Sequence, residues 1–356
     1  MNTNTKTEVK FIYWFAYYNL DSASVRYRGK YPLEHLKKHY NIDSCFVIPS
    51  YKLIKILLFI RAYFSALLFR KANSLIVIQR VHSNFIYATL LKLLIKLRPK
   101  RTFYDLDDAD YLDYPPQTIY HFIKNCSGVL VGSRELVKNL SKFNNNILLN
   151  TSPTPDPAMI KTQKNSTLTI GWVGDFAGGH KEAMLKYFFP ALSELDFEIN
   201  LIILGVGRKD ESDFQFLTDY FSPMPNIHLT MPQQIDWNDE REVQKRICEF
   251  DVGIATLLDN EIYLSKSAFK LKQYLNNGIP VLSSDLPENN YFVRDGVNGF
   301  LCSTPEKFRQ RLIQMNEMAN LEYMNLSRRA KQSSSGFNLT IYCETLLTQK
   351  GQSLEN

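Results

Sequence analysis

The sequence predicts an α/β chain made of two doubly wound domains, each a parallel sheet flanked by helices. Three observations point there. Over the first 150 residues, short apolar runs of strand length alternate with helix-length segments, the pattern of βαβ crossovers, and a second series starts near residue 167. Between the two series lies NTSPTPDPAMIKTQKN, whose Pro153, Pro155 and Pro157 end regular structure and mark a linker. The charge changes sign across that linker: through Asn165 there are 24 Lys and Arg against 11 Asp and Glu, and beyond it 18 against 25. The expected domains are residues 1–158 and 159–335, with a closing segment 336–356.

Length and composition narrow the class. With 356 residues, 45% hydrophobic and 22% charged, each domain is long enough to bury its own core, and fibrous or disordered classes are excluded. Cys45, Cys126, Cys248, Cys302 and Cys343 are scattered, with no Cys-x-x-Cys and no histidine at ligand spacing. They read as reduced thiols of a cytoplasmic protein, and no metal site is expected. The polar start MNTNTKTEVK lacks an apolar signal core, so FIYWFAYY reads as a first strand. A basic first half could face nucleic acid, an anionic membrane surface or a lipid-pyrophosphate acceptor. No nucleic-acid motif or aromatic–basic interleaving occurs, which favours the latter two.

In the first domain the strand VKFIYWFAYY runs into a polar loop, DSASVRYRGK, with Ser22, Ser24, Arg26 and Arg28. An open α/β sheet places its ligand crevice at such a strand end. Arg26 and Arg28 are therefore candidates to hold a phosphate group; plain surface charges are the alternative. A helix YPLEHLKKHY follows, with Pro32 early enough to be tolerated, then the strand SCFVIPS. YKLIKILLFIRAYFSALLFRKA approaches membrane-span length, but Lys55 and Arg61 lie inside it. Each basic residue near a bilayer centre costs roughly 2.5–3.5 kcal/mol on insertion scales. The segment reads instead as a helix on the sheet, or as one in the membrane interface with its basic side chains snorkelling. After the strand SLIVIQRV, FIYATLLKLLIKLRPKR is a second apolar helix, ending in a basic cluster. Two such helices on the basic half suggest peripheral attachment to the inner face of the cell membrane.

RTFYDLDDADYLDYPP is a strand that ends among Asp105, Asp107, Asp108 and Asp110. Crowded carboxylates cost repulsion and call for a cause. One reading is helix capping and a solvated turn. Another is a phosphotransfer or metal site, since DLDD partly matches the haloacid-dehalogenase nucleophile motif; the Thr expected two residues after the second Asp is missing. GVLVGS, a helix from Ser133 and NILLNTSP complete the first sheet.

The second domain opens on LTIGWVGDFAGGHKEAMLKY. A strand ends at Gly174, Gly178 and Gly179 follow, and His180 and Lys181 start a helix. Such a glycine-rich turn lets backbone N–H groups approach a diphosphate. EINLIILGVGRK gives a strand and then Gly205-x-Gly207; NIHLTMP is a further strand, and DEREVQKRICEF an amphipathic helix. The stretch 251–302 then reads as strand DVGIATL, loop, helix Ser265 to Asn276, strand VLSS, helix and tight turns at Asp295-Gly296 and Asn298-Gly299. Gly278 sits where a left-handed cap belongs, with Pro280 as a stop. On such a helix Lys266, Lys270 and Gln273 fall within roughly 60° of one another, opposite Ala268, Leu271 and Leu275. Their basic face begins at a helix N-terminus, which favours an anion; a solvated Lys/Gln face is the alternative. PEKFRQRLIQMNEMANL and LTIYCETLLTQK are closing helices.

Gln273, Gly278, Pro280 and Val281, with DGVNGFL at Asp295 to Leu301, resemble the donor-binding segment of GT-B glycosyltransferases of the family 4 type. That family carries Glu-x-x-x-x-Gly-x-Pro-Val followed by Asp-Gly-x-Asn-Gly-Phe-Leu, with a second Glu eight residues before the first. This sequence has Gln273 and Ser265 at the two Glu positions. An amide still hydrogen-bonds a diol, without charge assistance.

The resemblance implies two Rossmann-like domains facing a cleft, with a C-terminal helix crossing back to the first. It implies a nucleotide-sugar donor held by Gly174, Gly178, Gly179, His180, Lys181, Gly205, Gly207, Lys266, Ser267, Lys270 and Gln273. The acceptor side then includes Arg26 and Arg28, with Asp105, Asp107 and Asp108 as catalytic candidates. Lys266 and Lys270 would neutralise the leaving diphosphate, so neither a metal nor another cofactor is required, and retention at the anomeric carbon is expected. The expected function is glycosyl transfer to a membrane-associated or lipid-linked glycan in surface polysaccharide assembly. A non-catalytic nucleotide-sugar or glycan-binding subunit and an Asp-dependent phosphotransferase are the alternatives.

Overall fold

The computed structural model describes residues 9–50, 52–68, 73–207 and 210–352. The chain divides into two compact units: Met1–Pro155 with Ser265–Ser267 and Phe337–Asn356, and Asp156–Leu264 with Ala268–Gly336.

The first unit is built on β1 (Phe11–Phe15), β2 (Asp43–Val47), β3 (Ser74–Gln79), β4 (Thr102–Leu106), β5 (Gly128–Val131) and β6 (Ile147–Leu149). All pairings are parallel, in the order β2-β1-β3-β4-β5-β6. FIYWF and SLIVIQ are buried along their whole length, as strands covered on both faces must be. The helices are α1 (Tyr31–Tyr40), α2 (Leu53–Leu68), α3 (Phe85–Leu97), α4 (Asp110–Asp113), α5 (Pro116–Asn125) and α6 (Arg134–Leu140). Asn84 caps α3 and Ser133 caps α6 through their side-chain oxygens.

The second unit repeats the plan with β7 (Leu168–Val173), β8 (Ile199–Leu204), β9 (Ile227–Thr230), β10 (Val252–Ala255), β11 (Val281–Ser284) and β12 (Gly299–Cys302). They pair in the order β12-β11-β10-β7-β8-β9, again all parallel. Around it lie α7 (Gly178–Ala183), α8 (Phe189–Leu192), α9 (Ser212–Phe221), α10 (Glu240–Ile247), α11 (Glu261–Leu264), α12 (Phe269–Asn276), α13 (Pro287–Phe292), α14 (Pro305–Glu317) and α15 (Asn320–Ser333). The closing helix α16 (Leu339–Thr348) belongs to the first unit, where Tyr342, Cys343 and Leu346 pack with Ile12, Trp14 and Leu33.

Both sheets reverse strand order once, between β1 and β3 and between β7 and β10. Ligands of open α/β sheets bind beyond the carboxyl ends of the strands at such a point. Four local expectations differ. The polar loop after β1 is helical: Val25–Lys30 is a π-helical turn leading into α1. Helix α12 begins at Phe269, not Ser265, because Ala268 adopts a left-handed conformation with φ 53°. GFLC, which includes Gly299 of an expected tight turn, is an edge strand paired with β11. The helix expected over PEKFRQRLIQMNEMANL ends at Glu317, and a separate one begins at Asn320 after extended Met318 and Ala319. Gly278 does take the left-handed cap conformation, φ 72°.

Candidate active site

Arg80 organises the switch point of the first sheet. It follows β3 directly, in a left-handed conformation (φ 51°), and its guanidinium lies 4.7 Å from the centre of the Tyr17 ring, which follows β1. A non-glycine residue in that region is uncommon and marks a site held by its surroundings. Here the hold is electrostatic. Arg80 Nε donates to Asp110 Oδ2 at 2.6 Å and Nη1 to Asp107 Oδ1 at 3.1 Å and Asp108 Oδ2 at 3.4 Å. Lys266 Nζ adds a second cation, 2.9 Å from Asp108 Oδ1. Burial works against the Lys266 charge, and Asp108 beside it turns the balance, raising its pKa. The carboxylates crowded after β4 are thus tolerated because two cations lie among them.

Beside this cluster, His82 Nδ1 is 3.1 Å from the Tyr104 hydroxyl, and Nε2 is 3.6 Å from Asp110 Oδ2. Burial, then Arg80, lowers the His82 pKa to about 4, so the imidazole is neutral at pH 7. Burial pushes Asp110 up to about 6 even against Arg80. Asp107 is 7% exposed, whereas the Asp108 side chain is 28% exposed. Asp108 is the carboxylate of this cluster that a hydroxyl-bearing ligand reaches most readily.

Asp105, Arg26 and Arg28 serve the fold instead of a ligand. Arg28 and Asp105 are both fully buried and form a bidentate pair, Nε to Oδ1 at 2.9 Å and Nη2 to Oδ2 at 2.7 Å. Arg28 Nη1 also donates to the Asn150 carbonyl at 2.7 Å, and the Tyr342 hydroxyl donates to the Arg28 carbonyl at 2.9 Å. This ties the π-helical turn, β4, the segment after β6 and α16 together. Arg26, 2% exposed, donates through Nη1 to the carbonyls of Leu20 and Asp21 and closes its own loop. A fully desolvated charge needs an internal counter-charge, and Arg28 and Asp105, expected at a phosphate and at the reacting centre, supply it to one another, while Arg26 is engaged by backbone carbonyls of its own loop.

In the second unit the switch point is built from glycines and Lys270. Gly174 ends β7 at φ 149°, and a Cβ there would lie 2.6 Å from Lys270 Cε. Gly205, after β8 at φ 100°, would place a Cβ 1.8 Å from the Gly174 carbonyl oxygen. Only glycines let these two strand ends approach, and their approach seats the Lys270 side chain. Its Nζ is 3.2 Å from His180 Nε2 and 5.4 Å from the Trp172 ring centre. An ammonium has only donors, so His180 Nε2 is the acceptor and the ring proton sits on Nδ1. Tyr263 packs edge-on to His180, and a Cβ on Gly179 would lie 2.2 Å from its hydroxyl. Gly178 (φ 53°) opens α7 with free space where a Cβ would stand. Trp172 Nε1, Thr256 Oγ1 and Ser283 Oγ are buried polar atoms with no hydrogen-bond partner among the described residues.

The remaining expected donor residues have separate places. Lys181 pairs with Asp213 at 2.6 Å and lies over the Phe216 ring, which anchors α7 to α9. Gly207 (φ 75°) leaves room for Phe214. Gln273 lies on α12 at 8% exposure, and its carbonyl accepts from Asn277. Lys266, expected on the same helical face as Lys270, precedes the helix with Ser267, and both group with the first unit, where the Ser265 carbonyl accepts from Ser133 Oγ at 2.7 Å. The single basic face therefore does not exist; the two lysines serve different units. Sequence reasoning did not single out Arg80, His82, Tyr17, Trp172 or Tyr263. Arg80 carried one available signal: an arginine immediately after an apolar strand, at the rim where β4 places its acids.

Residues 167–317 match the model of the family described as glycosyl transferases group 1. No curated protein matches the chain in sequence. Among solved structures, the chain resembles HepE from Anabaena in complex with UDP and glucose at 12% identity and TM-score 0.62, covering 96% of this chain and 99% of that one. The lipopolysaccharide outer core galactosyltransferase WaaB is similar at 14% identity and TM-score 0.61, over 95% and 99%. Sucrose-phosphate synthase from Thermosynechococcus elongatus is similar at 11% identity and TM-score 0.65, over 96% and 98%. Two parallel six-stranded sheets in one chain give this protein the GT-B fold of these structures, and residues 167–317, within the second unit, carry the pattern of the glycosyl transferases group 1 model.

Proposed function

We propose that the protein transfers a sugar from a nucleotide-sugar to a membrane-associated or lipid-linked glycan acceptor, as a step of surface polysaccharide assembly. The observation that carries this reading is Lys270, seated by Gly174 and Gly205 at the switch point of the second sheet. An ammonium fixed there, with the buried Trp172 Nε1 and Thr256 Oγ1 near the same strand ends, suits the diphosphate of a nucleoside diphosphate sugar. Gln273 is the candidate for the ribose diol. Neutralising the leaving diphosphate is the main electrostatic task of such a reaction, and Lys270 takes it without a metal. Asp108 on the first unit is the candidate that orients the acceptor hydroxyl, held in place by Arg80 and Lys266. Retention at the anomeric carbon follows from the family resemblance. UDP bound to HepE supports a nucleotide donor for this chain as well.

The Asp cluster does not favour phosphotransfer. Asp107 and Asp108 share Arg80, and Lys266 takes Asp108, so both carboxylates are already engaged by side chains of the first unit. Incubating the protein with a panel of nucleotide-sugars and a membrane extract, with and without EDTA, tests the proposal. Release of nucleoside diphosphate that survives EDTA is expected. Binding without turnover would make the chain a donor-binding subunit, the reading that Gln273 and Ser265 at the two carboxylate positions favour. Strict dependence on magnesium would overturn the role given to Lys270.

A further inference from the structure

We infer that the outward faces of α2 and α3 form a surface that docks the first unit on an anionic lipid bilayer, with the carboxyl rim of its sheet beside the membrane. Helix α2 turns Phe59, Ala62, Tyr63 and Ala66 into the core. Its opposite face should then be polar, and it is not: Leu53, Ile54, Leu57 and Phe64 are 72%, 68%, 56% and 48% exposed. Helix α3 buries Tyr87, Leu91 and Leu94, yet leaves Phe85 and Ile86 83% and 65% exposed. A helix apolar all round belongs in a core or against lipid, and neither helix is in a core. No helix among the described residues is long and apolar enough to cross a membrane, so the fitting geometry is one that lies on it.

Charge selects the occupant. From residue 44 to residue 104 the sequence has 11 Lys and Arg and no Asp or Glu. Lys52 stands at the start of α2, the exposed Arg61 lies among its outward residues, and exposed Lys96 and Lys100 mark the end of α3. A second copy of this chain would set like charges against like across the same apolar face. An anionic bilayer takes the apolar side chains into its acyl boundary and the lysines and arginines at its headgroups. Topology gives the orientation: α2 and α3 start where β2 and β3 end, and in a parallel sheet that rim also carries Arg80 and Asp108. Tyr114, 46% exposed, lies 5.1 Å from the His82 ring, beside the cluster. The orientation deepens the reading of a lipid-linked acceptor and rests on it; the docking itself does not.

The test is co-sedimentation of the full chain with vesicles of phosphatidylcholine, with and without phosphatidylglycerol. Binding that needs the anionic lipid and weakens with salt is expected. Ile54→Glu/Phe85→Glu and, separately, Lys52→Glu/Lys96→Glu should each weaken it by about tenfold or more. All four side chains lie outside the core, so melting temperature and nucleoside diphosphate binding should stay at the parent values. Equal binding by all three proteins, or none to any vesicle, would overturn the inference. So would concentration-dependent dimerisation that the Ile54/Phe85 variant abolishes, which would give the face to a second copy. Vesicle binding without sugar transfer would defeat the proposed function and leave the docking surface standing; soluble transfer without vesicle binding would do the reverse.

Discussion

Replacing Asp105 with Asn separates a structural from a catalytic carboxylate. The change keeps the side-chain shape and removes the charge. Both Asp105 oxygens accept from Arg28, and neither residue is exposed, so the variant leaves a buried guanidinium with Asn150 O and Ser152 Oγ as its other acceptors. Removing one partner of a buried pair costs about 3–5 kcal/mol, and the retained amide oxygen places the expectation near the lower end, about 3 kcal/mol. In a unit of this size each kcal/mol moves the midpoint by about 2–4 °C, so the first transition should fall by about 6–12 °C. Thermal and urea unfolding followed by circular dichroism read this directly. The double variant Arg28→Met/Asp105→Leu should recover part of the loss, because no charge is left desolvated. Binding of UDP, placed on the second unit, should be unchanged in the folded protein. An Asp105→Asn variant that melts like its parent and yet loses turnover would refute the structural assignment.

Three further outcomes follow from the site geometry. Lys270→Ala should weaken nucleoside diphosphate binding by about tenfold to a hundredfold, the worth of one charge-assisted contact, and leave nucleoside binding unaltered. Lys266→Ala should leave diphosphate binding near the parent value and change acceptor KM instead; titration calorimetry with UDP and uridine distinguishes the two. Gly205→Ala, whose Cβ would overlap the Gly174 carbonyl, should abolish nucleotide binding and lower the melting temperature of the second unit. The fourth outcome concerns pH. Asp110, raised from an ordinary value near 4 to about 6, favours folding below about pH 4, and that gain is lost as pH rises through 6. His82, lowered to about 4, favours folding above about pH 6.5, and that gain is lost as pH falls through 4. The two slopes oppose one another in wild type. His82→Gln removes one of them, so its stability relative to wild type should rise by up to about 3 kcal/mol from pH 7 to pH 4 in urea titrations.

Periodicity and punctuation carried the fold. Strand-length apolar runs, Pro153 to Pro157 and the cap at Gly278 located both sheets and the turn from one to the other. What stayed hidden was set by tertiary contacts. The polar segment around Arg26 and Arg28 contains no helical stripe, and its helical turn is held by Asp105 and Asn150, far away in sequence. The start of α12 depends on Ala268 in a conformation that alanine rarely takes, which no propensity predicts. That one residue ends the assumed alignment of Lys266 with Lys270. At the site, residue types were legible and partners were not: four acids near one strand end announce a cluster, but nothing local says that Arg80 and Lys266 hold it.

The sign of a half-chain's net charge proves a poor guide to what its site binds. The balance of +13 in the first 165 residues suggested an anionic partner, and the end of the first strand suggested phosphate on Arg26 and Arg28, yet these arginines are buried, and the rim they were expected to furnish carries Asp107, Asp108 and Asp110. Carboxylates accept hydrogen bonds, which suits the hydroxyl donors of a glycan and repels a phosphate. The second half has a balance of −7, and its switch point presents an ammonium framed by glycines, which suits a diphosphate. Local geometry thus inverts the global charge in both units. The excess positive charge of the first unit is left for its surface, and along α2 and α3 it borders exposed leucine, isoleucine and phenylalanine instead of any acid. On the proposed reading, phosphates meet that unit as lipid headgroups at its flank, and the hydroxyl to be glycosylated meets the acids at its rim.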